Sequence, residues 1–207
     1  MKRPLPIVKM MMIWGIFSLS SPVYARNLSQ AKALQPGSRA QITDELLHMK
    51  TAGLVRQFSE LKSGALPEGV YTLRVLPGDG PLPGGNTKKT ADLLWSARVY
   101  NRNQGVVFNR TVTGDRMPGK VYCLTSPTDF RQESIIVDFR HSDRMKSYDR
   151  KLDWIAGPEG LNIHEELRYL QPGLMLGKVW SNGAFLHFYV AQATHGDPTL
   201  KSGDCQD

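Results

Sequence analysis

The residues able to do chemistry are few. The histidines are His48, His141, His164, His187 and His195, and the densest polar group is His164-Glu165-Glu166. On a β-strand His164 and Glu166 share a face while Glu165 points away. Joined by His187 from a neighbouring strand, they offer three metal-binding or acid–base groups. They read more readily as a solvated charged face, so no metal is assigned. His141 with Asp143, and His195 with Asp197, are short polar pairs of the kind found in surface loops. Glu133 and Asp138 are carboxylates of the type glycoside hydrolysis uses, but that chemistry also requires a set separation. Cys123 is a candidate thiol nucleophile with a histidine base. Gly-x-Ser-x-Gly, His-Glu-x-x-His, the phosphate-binding loop and the dinucleotide glycine pattern are absent from the chain. Gly78-Asp79-Gly80 and Gly84-Gly85 lie in a proline-rich stretch that opens no helix. No catalytic residue is assigned, and no cofactor is expected.

Apolar and aromatic residues carry more information. In the last hairpin Leu174, Leu176, Lys178 and Trp180 share one face of a strand. In its partner, Phe185, His187 and Tyr189 share one face and Leu186, Phe188 and Val190 the other. A strand apolar on both faces is covered on both sides. In a barrel, one side is the lumen and the other packs under a helix. A lumen with aromatic walls and a few polar groups is a ligand site; a lumen filled by its own side chains is not. Tyr71, Trp95, Tyr169, Trp180 and His187 are the candidate ligand-binding residues, with strand register deciding which of them face inward.

The elements that must position these residues follow from periodicity. Ser38 with Gln41 resembles a capping box. Ile42, Leu46, Leu47, Leu54, Val55, Phe58 and Leu61 recur near helical spacing, with Gly53 a possible break and Gly64 a C-cap. From Val70 the period changes to two. Strands are expected at 70–76, 93–100, 106–112, 120–124, 134–139, 163–170, 174–180 and 184–191. Turn chemistry separates most of them: Asn103-Gln104-Gly105, Met117-Pro118-Gly119, Gln171-Pro172-Gly173 and Ser181-Asn182-Gly183. Residues 77–89 read as a surface loop. His141–Trp154 is strongly charged and reads as a short helix or as a loop over one end of the barrel. The fold class is mainly β: an antiparallel meander closing into a barrel, with an N-terminal α-helix.

Residues 1–25 read as a secretory signal peptide: three cations within MKRPLPIVK, the apolar run MMMIWGIFSLS, then Val23-Tyr24-Ala25. The run is about half the ~20 residues of a membrane span. Residues 26–37 form a polar arm, and 38–207 one domain. The chain has 26 Lys and Arg against 19 Asp and Glu, a net charge of +7. Loss of Lys2, Arg3 and Lys9 with the leader lowers that to +4, which is no footprint of nucleic-acid binding. The expected location is periplasmic or extracellular. In an oxidising compartment Cys123 and Cys205 are the only possible intramolecular partners. Their bond would close a long loop, worth roughly 4–5 kcal/mol in chain entropy. Asn27-Leu28-Ser29 and Asn109-Arg110-Thr111 match glycosylation acceptors.

The segments EGVYTLRVL, from Glu68, and LRYLQPGLMLGKVWSNGAFLHFYV, from Leu167, resemble a lipocalin or, more broadly, a calycin-like barrel. Lipocalins open their first strand with Gly-x-Trp; here the triplet is Gly69-Val70-Tyr71. The resemblance covers roughly residues 66–191. It implies a small apolar ligand in the barrel or a structural role at the envelope.

The leading expectation is therefore an exported, non-enzymatic barrel that binds a small apolar or amphipathic molecule. An envelope interaction protein with a packed barrel is the alternative, its partner surface being Arg144–Lys151 or the loop at 77–89. A hydrolase or isomerase using His164, Glu166 or His187 is the third.

Overall fold

The computed structural model describes residues 37–77, 96–154, 156–157, 160, 162–195 and 205. The segments expected as a signal peptide and as a polar arm up to residue 36, together with Trp95 and residues 78–89 of the expected loop, lie outside the described residues.

Helix α1 (Arg39–Leu47) begins at the expected capping box: Gln41 N–H donates to Ser38 Oγ at 3.3 Å, and Ser38 N–H donates to Gln41 Oε1 at 2.8 Å. Helix α2 (Thr51–Glu60) follows after a break at His48–Lys50, not at Gly53. Gly53 lies inside the helix with Met49 against it; a Cβ there would come within 2.6 Å of Met49 Cγ. Helix α2 also stops at Glu60, short of Gly64. Arg168 satisfies its end, donating from Nη1 to the Phe58 carbonyl at 3.0 Å.

Eight strands follow: β1 (Gly69–Val75), β2 (Ala97–Asn101), β3 (Val106–Thr111), β4 (Gly114–Thr125), β5 (Glu133–Asp138), β6 (Ile163–Gln171), β7 (Leu174–Ser181) and β8 (Ala184–Ala193). Each pairs antiparallel with the next, and β8 returns to β1 through Leu73↔Ala191, closing the barrel. Closure leaves no strand edge unpaired. The eight-stranded meander is the architecture that a calycin-like reading expects.

Three registers differ from simple alternation; the β6–β7 register shifts between Tyr169 and Gln171, next to its turn. Met117-Pro118-Gly119 is not a turn but a bulge inside β4: Met117 has φ 52°, and the β3–β4 register skips between Val107 and Asn109. The turn falls instead at Val112-Thr113. In β8 the register jumps from Val179↔His187 to Trp180↔Phe185, leaving Leu186 as the extra residue. Phe185 therefore shares a face with Phe188, at 5.2 Å between ring centroids, and not with His187.

The barrel has two apolar cores. The lumen is filled by Tyr71, Tyr100, Val107, Ile135, Leu167, Met175 and their neighbours. Outside it, Ile42, Leu46, Leu54 and Phe58 of the helices cover Leu174, Leu176, Phe188 and Val190 of the last hairpin. That hairpin is thus apolar on both faces for the reason expected. Arg74, Arg110, Asp115 and Lys120 stand exposed on the outward face, the reverse of a membrane barrel's apolar exterior and polar interior.

One end of the barrel, the base, carries the β2–β3, β4–β5 and β6–β7 turns. There Cys123 is bonded to Cys205, with 5.6 Å between Cα atoms, and Cys205 packs into the lumen core. The other end, the mouth, carries the β3–β4 and β7–β8 turns and the long β5–β6 connection. Among the described residues that connection is a loop with a 3-10 turn at Ser142–Arg144. Among the described residues no helix is long and apolar enough to cross a membrane.

Candidate functional site

The polar centre of the lumen begins with Arg98 on β2. Its parity with Tyr100 turns it inward, where it meets Glu165 of β6 in a two-pronged ion pair; both side chains are only 2% exposed. Tyr189 of β8 donates to Glu165 at 2.5 Å and accepts from Arg98 Nη1 at 3.0 Å. Arg98 Nε donates to Asn109 Oδ1 on β3 at 3.2 Å. The guanidinium carbon also lies over the Phe139 and Tyr189 rings at 5.3 and 5.4 Å. Gly177 makes this possible. It pairs with Tyr189, and a Cβ on it would sit 2.4 Å from the tyrosine ring.

Burial works against the Arg98 charge, but Glu165 and Tyr189 outweigh it and hold the guanidinium above its ordinary value. Burial, reinforced by Glu165, pushes the Tyr189 phenol well up, and burial takes Tyr100 to about 12 against the pull of Arg98. The cluster is internally satisfied. A carboxylate held by two guanidinium nitrogens and a phenol is a strut, not a poised base.

Above the cluster, toward the mouth, lies a recess of about 20 Å³. Its walls are Leu73, Val75, Ile163 and Val179, with His187 at its side. That is room for roughly one water, far below the ~300 Å³ of ordinary ligand pockets. His187 has no hydrogen-bond partner among the described residues. Burial, only partly offset by Glu165, lowers its pKa and favours the neutral ring.

The four candidate ligand residues that are described, Tyr71, Tyr169, Trp180 and His187, lie at three separate places. Tyr71 and Tyr169 neighbour each other at the base, with Tyr71 edge-on to Tyr100 at 5.4 Å. His187 is at the mouth. Trp180 is on the outer face, stacked on His164 at 6.1 Å and edge-on to Phe185 at 5.6 Å. Trp95 is outside the described residues.

The outer face holds a second polar cluster. Glu166, fully buried, accepts from Ser126 at 2.5 Å, Thr128 at 2.9 Å and Ser134 at 3.4 Å. Lys178 donates to Thr128 at 2.9 Å and lies over the Phe58 ring at 4.6 Å. Burial lowers its pKa against the pull of Glu166. Arg168 binds Ser134, Gln132, Asp129 and the Phe58 carbonyl. This network ties the β4–β5 turn to α2.

Several sequence expectations are corrected here. Glu165 and Glu166 form no solvated face; both are buried, one inside the barrel and one outside, because each has its own donors. The sheet separates His187 from His164 and Glu166, so the three make neither a metal site nor an acid–base group. Among the described residues no three His, Cys, Asp or Glu side chains are placed to hold a metal. Glu133 and Asp138 stand at opposite ends of β5, about 16 Å apart along the strand and too far for paired glycosidase carboxylates. Asp138 is instead held by Arg140 at 2.8 Å and Tyr122 at 3.2 Å. Cys123 is bonded and no nucleophile. Asn109 is 1% exposed and spent on Arg98, so it is no glycan acceptor in the folded chain.

Sequence reasoning missed the Arg98–Glu165 pair. The available signal was one residue of each charge at an inward parity on two strands, which indicates a pair only once the inward face is known. No family model matches the chain, and no curated protein or solved structure matches it.

Proposed function

We propose that this chain is an exported, non-enzymatic interaction protein that works through the surface at the mouth of a packed barrel. One observation carries the reading. Among the described residues the lumen is filled by side chains braced on Arg98–Glu165, and the recess above them holds about 20 Å³. A barrel without room inside acts through its outside. The β5–β6 connection supplies such a surface, with Arg144, Lys146, Arg150 and Lys151 exposed along it. The disulfide fits an oxidising compartment, and the N-terminal leader supports export.

A titration with a fluorescent fatty-acid probe tests the packed lumen; saturable one-to-one binding contradicts it. Envelope pull-down with wild type and with the four cations changed to Ser tests the surface. Equal recovery of partners contradicts that part.

A second reading rests on the recess itself. Aliphatic walls over a polar floor, beside a neutral His187, suit the tip of a small amphipathic ligand whose remainder stays outside the mouth. Under this reading His187→Ala weakens ligand binding without unfolding the barrel.

A further inference from the structure

Residues Leu152-Asp153-Trp154 invert the usual polarity of a folded chain. Asp153 is 1% exposed, while Leu152 is 52% and Trp154 67% exposed. The cause is local. The Asp153 carboxylate accepts from the Met117 N–H at 2.8 Å and from the Asp149 N–H at 2.8 Å, pinning the β5–β6 connection to β4. Asp149 accepts in turn from the Lys151 N–H at 2.9 Å and the Leu152 N–H at 3.3 Å. A buried carboxylate is thus spent on holding two large apolar side chains out in solvent. Arg144, Lys146, Arg150 and Lys151 stand exposed on the same connection. Between residues 143 and 154 the acids are Asp143, Asp149 and Asp153, against the four cations Arg144, Lys146, Arg150 and Lys151, and Asp153 is buried.

We infer that this patch docks on an anionic lipid surface, with Trp154 and Leu152 entering the interface and the four cations facing lipid headgroups. The inference rests on the mouth-end surface proposed above and names its partner. A tryptophan presented beside cations matches the amphipathic boundary of a bilayer, where its ring is favoured. The connection is held from beneath by Asp153, which leaves both apolar side chains free to enter such a boundary. Each cation near such a surface strengthens binding about fivefold at low salt.

The test is co-sedimentation of the protein from an exporting host, its N-terminus read by mass, with vesicles of equal parts phosphatidylcholine and phosphatidylglycerol. Phosphatidylcholine vesicles and polyglutamate beads serve as comparisons. Wild type should bind the anionic vesicles, release with salt, and bind phosphatidylcholine far less. Trp154→Ser should cost about tenfold. Arg150→Ser with Lys151→Ser should cost about twenty-fivefold, two factors of five. Phe130→Ser, which removes an 81% exposed side chain at the base, should change nothing. Circular dichroism on each variant confirms that the barrel is intact, and Leu152→Ser replaces Trp154→Ser if that variant misfolds. Binding that is absent, equal on both vesicles, unchanged in Trp154→Ser, or lost equally in Phe130→Ser overturns the inference. Retention on polyglutamate alone, lost in Trp154→Ser, overturns the lipid assignment but leaves the mouth-end surface standing. No retention on either overturns both.

Discussion

Arg98 and Glu165 form their ion pair across the lumen, joining β2 to β6, two strands that are not neighbours in the sheet. The pair braces the barrel where backbone hydrogen bonds cannot reach. Desolvating both charges makes it a weak source of net stability but a strong constraint on which side chains pack beside it. Removing one partner leaves a buried charge. Arg98→Met should therefore cost about 3–5 kcal/mol. Arg98→Met combined with Glu165→Leu should cost far less than the two single variants summed. Urea denaturation of the four proteins measures the coupling, and simple additivity would show that the two residues do not act as a pair.

Tyr189 reaches that pair only because Gly177 leaves room for its ring. Gly177→Ala should cost about 1–3 kcal/mol through overpacking. It should also move the Tyr189 hydroxyl off Glu165, visible as a changed near-ultraviolet tyrosine signal. Unaltered stability and spectrum would place the ring elsewhere.

Much of this fold is legible in the sequence. Strand-like segments mark at least part of each of the eight strands, the first half of β4 being taken for a turn; the Ser38–Gln41 capping box marks α1, and two cysteines mark one bond. What is not legible has physical causes. Parity separates the faces of a strand but does not say which is inside, so Glu165 and Glu166 look alike until the barrel closes. One inserted residue resets parity, and Leu186 does so in β8, moving Phe185 away from His187. Trp180 follows the outward parity of β7 with Lys178, so an aromatic chosen for a lumen packs outside it. Gly53 looks like a helix break, but it lies within α2, where Met49 occupies the space a Cβ would take.

Stability should depend on pH through His187. Its folded pKa is lowered by burial, so the folded state resists protonation while the unfolded chain takes up a proton near pH 6.5. The contribution is whole above that value, declines as the pH falls toward the folded pKa, and is constant below it. Glu165 and Arg98 are the charges facing the ring. His164, also lowered by burial, adds a second, independent slope. His187→Gln should flatten the loss of stability between pH 7 and 5, measured by urea midpoints. An unchanged slope would assign all of it to His164 or elsewhere.

The Cys123–Cys205 bond spans 82 residues and draws Cys205 into the base of the lumen core. Cys205→Ser should lower stability by about 4 kcal/mol. Hydrogen exchange should rise first at the base, in the ends of β4 and β5, while the amides beside Glu165 stay protected. A uniform rise would mean that the bond supports the whole barrel and not its base.

Native mass spectrometry of the protein, purified gently from its own compartment, tests the packed barrel most directly. The account gives a bare polypeptide mass, two hydrogens light for the disulfide, with no adduct at low collision energy. A stoichiometric extra mass that leaves on denaturation, and that His187→Ala abolishes, would contradict it and establish a ligand at the mouth.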